Sequence, residues 1–336
     1  MPDYKSLVPV NIITGFLGSG KTTLLQRLLA SPKLANTAVL INEFGEVSLD
    51  HLLLDVVDQE TVILESGCVC CTIRGDLADA IRELHSKRER GIIPTFDRLA
   101  IETTGLADPA PIVSTLLAEP VIRNHFRLGN IITTIDAVNA ALHLGNNDES
   151  VKQAAIADRL VLTKSDLADA KTVDAARQAL ADVNGSATVI DAQDDRFDPD
   201  DLMASDIYDA EANAAEARRW LEHHRHVDHA HDHRSQHGED IETFSLIVDQ
   251  PIDWTAFGIW LTMLLHRHGE QVLRVKGILN VEGQATPVMI HGVQHVVHPP
   301  AHLEAWPDDD HRSRIVFILR GLDTALIKRS LSSFMR

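Results

Sequence analysis

The chain has little cysteine, no long apolar run and a shortage of basic residues, and each absence excludes a class of protein. Only three of its 336 residues are cysteine, and all three fall within Cys68-Val69-Cys70-Cys71. A disulfide-stapled secreted domain spreads an even number of cysteines along a short chain, so that class is excluded. No apolar stretch approaches the ~18 residues of a membrane-spanning helix, and the N-terminus lacks a charged segment leading into an apolar one. Lysine and arginine total 31 against 49 aspartate and glutamate, a formal net charge of −18. That field repels phosphate backbones and anionic bilayers, which argues against nucleic-acid or membrane-surface partners. A cytoplasmic location is the expectation. Apolar residues make up 44%, enough for sizeable cores, and the length suits two domains.

What the chain does have is alternation. Apolar, β-rich runs at Val8–Thr14, Ala38–Asn42, Val62–Leu64, Leu99–Glu102, Ile131–Asp136, Leu160–Thr163 and Ala187–Ile190 read as strands. Helical patterns lie between them, at Lys21–Leu29, Asp76–Arg90 and Ala170–Val183. Continuous apolar strands alternating with helices predict an α/β fold, a mostly parallel sheet flanked by helices. The stretch from Asp191 to Glu211 is acidic and loop-like, with a short polar helix expected to reach Trp220. A tract of His223, His224, His226, His229, His231, His233 and His237 follows. Beyond it a strand (Ile241–Val248), a helix (Asp253–His268), further strands near Val272–Val281, Pro287–Val297 and Arg314–Leu319, and a last helix predict a smaller α+β domain. The expected division is 1–205, a linker at 206–240, and 241–336.

The most specific motif is Gly15-Phe16-Leu17-Gly18-Ser19-Gly20-Lys21-Thr22-Thr23, a G-x-x-x-x-G-K-[ST] loop between a strand and a helix. Glycines let backbone N–H groups approach phosphates, and the helix N-terminus favours negative charge. Lys21 would meet the β- and γ-phosphates, and the Thr22 hydroxyl would ligate Mg²⁺. Leu160–Asp166 is an apolar strand delivering Lys164-Ser165-Asp166 at its end. Asp166 could accept the two N–H donors of a guanine edge and the Lys164 stem could cover the base, so GTP is preferred over ATP. Asp166 as a mere helix cap is the alternative. In Leu99–Gly105, Glu102 closes an apolar strand three residues before Gly105, the place of a carboxylate acting on Mg²⁺ beside a γ-phosphate switch. No glutamine follows Gly105, so slow intrinsic turnover is expected.

The three cysteines follow a strand, in a loop of the kind that gathers at the nucleotide edge of an open parallel sheet. Three thiolates are a soft donor set suited to Zn²⁺ or Cu⁺ and able to take Co²⁺ or Ni²⁺. With only three in the chain, one coordination position stays open to exchange. Small buried core residues or a reactive thiol are the alternatives. Glu43 and Glu46, in Asn42–Glu46, are candidate ligands to Mg²⁺ or to the thiolate-bound metal, or residues of a solvated loop. The histidine tract is either a metal collector or a solubilising linker. His266 and His268 favour a helix C-terminus. His291, His295, His298 and His302 are expected at the surface, and Trp220, Trp254, Trp260 and Trp306 as core or interface anchors.

Together, Gly15–Thr23, Asn42–Glu46, Cys68–Cys71, Glu102–Pro109 and Thr163–Asp166 resemble the CobW-type metallochaperone GTPases, relatives of UreG and HypB. Arg274–Gly277 and Arg314–Phe317 resemble that family's smaller domain, so the likeness spans nearly the whole chain. The family uses Glu where most GTPases have a Walker-B Asp, and Thr-Lys-x-Asp is a common form of its base motif. The resemblance implies GTP hydrolysis coupled to delivery of a metal, most often zinc, to a client metalloprotein, with self-association left open. Two rival classes remain on the residues alone: a P-loop NTPase or kinase with incidental cysteines, and a histidine-rich metal buffer or sensor.

Overall fold

In the computed structural model of the chain, residues 6–42, 63–65, 73–203 and 241–334 are described. The first strand, β1 (Val8–Gly15), is β-branched at Val8, Val10, Ile12, Ile13 and Thr14 and buried along nearly its whole length. Such a strand can only be central in a sheet covered on both faces. Around it run β2 (Thr37–Asn42), β3 (Ile63–Glu65), β4 (Arg98–Thr103), β5 (Phe126–Asp136), β6 (Arg159–Thr163) and β7 (Thr188–Asp191), in the order β3-β2-β4-β1-β5-β6-β7. Every neighbouring pair is parallel. The crossovers contain α1 (Lys21–Leu29), α2 (Ile73–Glu89), α3 (Ala110–Ala118), α4 (Pro120–His125), α5 (Ala140–Asn146), α6 (Asp148–Ile156) and α7 (Ala170–Asn184). From β1 the chain steps outward to β2 and β3, returns to β4, and then crosses to β5 on the other side. Loops leaving the carboxyl ends of β1 and its neighbours therefore converge at a topological switch point.

Helix α1 shows why these segments fold as they do. Leu24, Leu25, Leu28 and Leu29 form one apolar stripe, and all four are buried against Ile13, Val39, Ile41, Ala100 and Ile132. Each such leucine contributes roughly 1.5–3 kcal/mol by burial.

The described residues divide into two compact units, 6–178 with 188–203, and 179–187 with 241–334. In the second, β8 (Ile241–Val248), β9 (Val272–Leu279), β10 (Val288–Val293), β11 (Val296–Val297) and β13 (Ser313–Arg320) form an antiparallel sheet ordered β11-β10-β9-β13-β8, with β12 (Ala301–His302) paired to β10. Helices α8 (Trp254–His268) and α9 (Thr324–Phe334) contribute Phe257, Trp260, Leu265, Ile327 and Leu331 to a core with Val275, Leu279, Ile290 and Phe317. Asp253 caps α8 by accepting the Ala256 N–H at 2.6 Å, as its place before the apolar run predicts.

The opposite sheet face is also covered, around Ile278, Met289, Leu303 and Val316. That corrects part of the histidine reading. His291 and His298 are buried, their rings stacked at 6.3 Å, while His295 and His302 are exposed as expected. Strand β10 is buried at all six positions, so it has no solvent face on which His291 could lie. Trp260 is a core anchor, Trp254 is exposed and Trp306 is half-buried against His311. Trp220 lies outside the described residues.

Candidate nucleotide site

The loop between β1 and α1 is held open by its own backbone. Gly15 has φ 144, and a Cβ there would collide with the Thr134 hydroxyl and lie 2.7 Å from Ser19 Oγ. Gly20, at φ 90, is the left-handed residue from which α1 starts; glycine adopts that conformation without steric cost. Lys21 Nζ donates to the Gly15 and Phe16 carbonyls at 3.0 and 3.2 Å, which curls the loop around the ammonium. Ser19 Oγ and Thr134 Oγ1 are 2.6 Å apart, and the Thr134 hydroxyl donates to Thr14 O, so Ser19 is the donor of that pair. Thr163 Oγ1, at the end of β6, donates to Ser19 O at 2.7 Å and shares its hydrogen with Ile135 O at 3.2 Å. Thr163 thus splints the loop to the neighbouring strand ends. The Phe16 ring rests on His143, at 4.8 Å between centroids.

Glu102, 6% exposed, comes from β4, next to β1. Its Oε1 accepts the Thr22 hydroxyl at 2.8 Å. The next residue, Thr103, donates to Thr14 Oγ1 at 2.8 Å, so the ends of β1 and β4 are tied on both sides of the loop. Gly105 then turns directly against the phosphate loop: a Cβ on it would sit 2.8 Å from Leu17 N and Cα. These parts line a cleft of about 400 Å³, walled by Leu17, Gly18, Gly20, Lys21, Thr22, Thr23, Gln26, Ile41, Glu102–Gly105 and Lys164. The glycine-rich loop backbone, the Lys21 and Lys164 side chains and a hydroxyl–carboxylate pair line it, the chemistry that binds a polyphosphate and a hard divalent cation.

Lys164, one of two described non-glycine residues with positive φ, turns the chain just after β6. Its Nζ donates to Gly18 O and to Asp136 Oδ2, both at 2.8 Å. Asp136, at the end of β5 and 3% exposed, also accepts Asn139 Nδ2 and the Val138 N–H. Burial pushes its carboxyl upward, but the Lys164 and Asn139 hydrogen bonds outweigh that and hold it below the usual 3.8. Asp166 sits exposed in the short turn Ser165–Leu167 and is not among the residues that line the cleft. It does not cap α7; Asp169 accepts the Thr172 N–H at 2.7 Å instead.

Of the residues singled out from sequence, the structure brings together Gly15–Thr23, Glu102 and Lys164. Glu43, Glu46, Cys68, Cys70, Cys71 and the histidine tract lie outside the described residues. Among the described residues no cluster of three or more His, Cys, Asp or Glu side chains is arranged to hold a metal ion. Sequence reasoning missed Asp136, although it closes an apolar strand as Glu102 does, and the same signal would have found it. It also missed the fully buried Gln153 of α6, which no local pattern marks.

A family model described as the CobW/HypB/UreG nucleotide-binding domain matches residues 9–191, and one described as the cobalamin synthesis protein cobW C-terminal domain matches residues 241–335. Over 311 residues the chain is 32% identical to the zinc chaperone YjiA of Escherichia coli K12, with 93% of each covered. It is 34% identical over 222 residues to zinc-regulated GTPase metalloprotein activator 1 of Schizosaccharomyces pombe, covering 64% of this chain and 52% of that one. The crystal structure of Zn(II)-bound YjiA GTPase from Escherichia coli superposes with TM-score 0.69 at 25% identity, covering 98% of this chain and 99% of that one.

Proposed function

The chain belongs to the CobW/HypB/UreG family of P-loop GTPases, and from that membership we propose that it is a zinc metallochaperone that couples GTP hydrolysis to delivery of the ion to a client metalloprotein. One observation carries the nucleotide half of this reading: Thr22 Oγ1 and Glu102 Oε1 meet at 2.8 Å in the cleft formed by the phosphate loop. Hydroxyl and carboxylate oxygens are hard donors, so the pair fits Mg²⁺. Mg²⁺ held there would offset charge on the β- and γ-phosphate oxygens.

In this reading the backbone N–H groups of Gly15–Thr23 cradle the phosphates. Lys21 exchanges its loop carbonyls for β/γ oxygens. Thr22 and Glu102 hold the cation's shell. The Lys164 stem covers the guanine, and Asp166, exposed and not engaged as a helix cap, takes its two N–H donors. The turn at Gly105 senses the γ-phosphate and relaxes when hydrolysis removes it.

Cys68, Cys70 and Cys71 are the zinc ligands, with Glu43 or Glu46 as a displaceable fourth. A three-thiolate site with one weak ligand exchanges its ion faster than a closed four-ligand one. Residues 1–205 form the GTPase domain, 206–240 the linker and 241–336 the second domain, acting in the cytoplasm with a protein client and neither nucleic acid nor membrane. The relatives' names, zinc chaperone and metalloprotein activator, support the cargo and the client.

The test is transfer of zinc from the loaded chain to candidate apo-metalloproteins with GTP, GDP or a non-hydrolysable GTP analogue. Transfer with GTP that stalls with the analogue is the expected result. Transfer at one rate under all three conditions contradicts the proposal.

A further inference from the structure

Gln153 is completely buried on α6. Its Nε2 donates twice, to Gly105 O at 3.2 Å and to Ala107 O at 2.9 Å. Two carbonyl acceptors on one nitrogen fix which end of the amide is which. The residue's own backbone is anchored in turn, because Thr133 Oγ1 on β5 donates to Gln153 O at 2.8 Å. The amide is therefore a strut from the rigid sheet, through α6, to the turn that follows Glu102.

That turn follows Glu102 directly and lines the cleft at Thr104 and Gly105. Gly105 is pressed against the backbone of Leu17, while Leu106 beside it is 55% exposed. Within the turn the Ala107 N–H bonds to Thr104 O at 3.1 Å. The carbonyls of Gly105 and Ala107 both accept from the Gln153 amide, which itself does not line the cleft.

We propose that Gln153 is a positioning residue for γ-phosphate recognition: its side chain holds the 104–107 turn in the conformation that reads GTP, without touching nucleotide. This deepens the GTPase reading above and rests on it. Gln153→Met fills the same volume and removes both donors. Selectivity for a non-hydrolysable GTP analogue over GDP should fall about tenfold, the scale of two neutral hydrogen bonds. kcat should fall in proportion, with GDP affinity unchanged. Hydrogen exchange should quicken at 104–107 while the amides of β1 and β4 stay protected. Gln153→Asn, one methylene too short to reach both carbonyls, should reproduce the selectivity loss if the Met variant fails to fold.

A residue with a merely structural role would weaken both nucleotides together, so equal losses, or an unchanged GTP-to-GDP ratio, overturn the inference. If the wild-type chain itself does not distinguish the GTP analogue from GDP, the nucleotide reading has failed as well. If it does and the substitutions leave that ratio intact, only the role of Gln153 is refuted.

Discussion

Lys164 Nζ bridges Asp136 Oδ2 and the Gly18 carbonyl at 2.8 Å each, so one ammonium joins the end of β5 to the phosphate loop. A charge-assisted bond to a buried carboxylate is worth more than a neutral one, about 1.5–3 kcal/mol. Asp136→Asn keeps the shape and loses the charge. Guanine-nucleotide affinity should drop about tenfold or more, GTP and GDP alike, because the end of β5 and the phosphate loop are no longer held in common through Lys164. Isothermal titration with both nucleotides checks this.

The same carboxylate carries a pH signature. Its folded pKa lies below the ordinary 3.8, so its contribution to stability is complete above that value and is lost as pH falls through the folded pKa. The melting temperatures of wild type and Asp136→Asn should differ at neutral pH and converge as pH falls below the ordinary carboxylate range. In the second unit, Asp310, held at about 2 chiefly by Arg312, should behave likewise when changed to Asn.

Much of the fold was legible in the sequence because its signals are local. The stripe of Leu24, Leu25, Leu28 and Leu29 between Gly20 and Pro32 marks α1 at both ends, and Asp253 marks the start of α8. The helices between 110 and 156 were not read: Ala110–Ala118 is apolar on most sides and short, so it shows no clear period. The first half of β5 was also missed, since Gly129 and Asn130 read as breakers. They are tolerated because the register shifts opposite Asn11, whose side-chain oxygen accepts the Asn130 N–H at 2.9 Å. In the site, the motif residues are contiguous and could be found. Asp136 and Gln153 act through contacts 28 and 46–48 positions away in the chain, which no window along the sequence contains.

Thr22 and Glu102 form one unit, so their losses should not add. Thr22→Ala or Glu102→Gln should each lower kcat for GTP about 100-fold, with a smaller effect on GDP binding. The double variant should be little worse than either single one. Single-turnover hydrolysis across a magnesium titration measures both points.

Gly105 tolerates no side chain. A Cβ would meet Leu17 Cδ2 at 2.6 Å and its backbone at 2.8 Å, and backbone cannot swing aside as a side-chain tip can. Gly105→Ala should lower stability by about 1–3 kcal/mol and weaken GTP more than GDP. Urea unfolding together with nucleotide titration reports the two effects separately.

The second unit depends on Phe257, fully buried and 5.6 Å from the Trp260 ring. Phe257→Ala should cost about 3–5 kcal/mol through lost burial and the cavity it leaves. Trp260→Phe, which removes the Nε1 bond to Ser330 Oγ at 3.0 Å, should cost less. Denaturant midpoints of the full chain rank the two.

If nucleotide state governs a zinc site made by Cys68, Cys70 and Cys71, as proposed, chelator competition will show it. Zinc affinity is measured with a non-hydrolysable GTP analogue and with GDP, in wild type and in the Cys68→Ser, Cys70→Ser and Cys71→Ser chains. Tight binding in the GTP-like state that weakens with GDP and is lost in the serine variants is the predicted result. Zinc affinity that ignores the nucleotide, or survives all three substitutions, contradicts it.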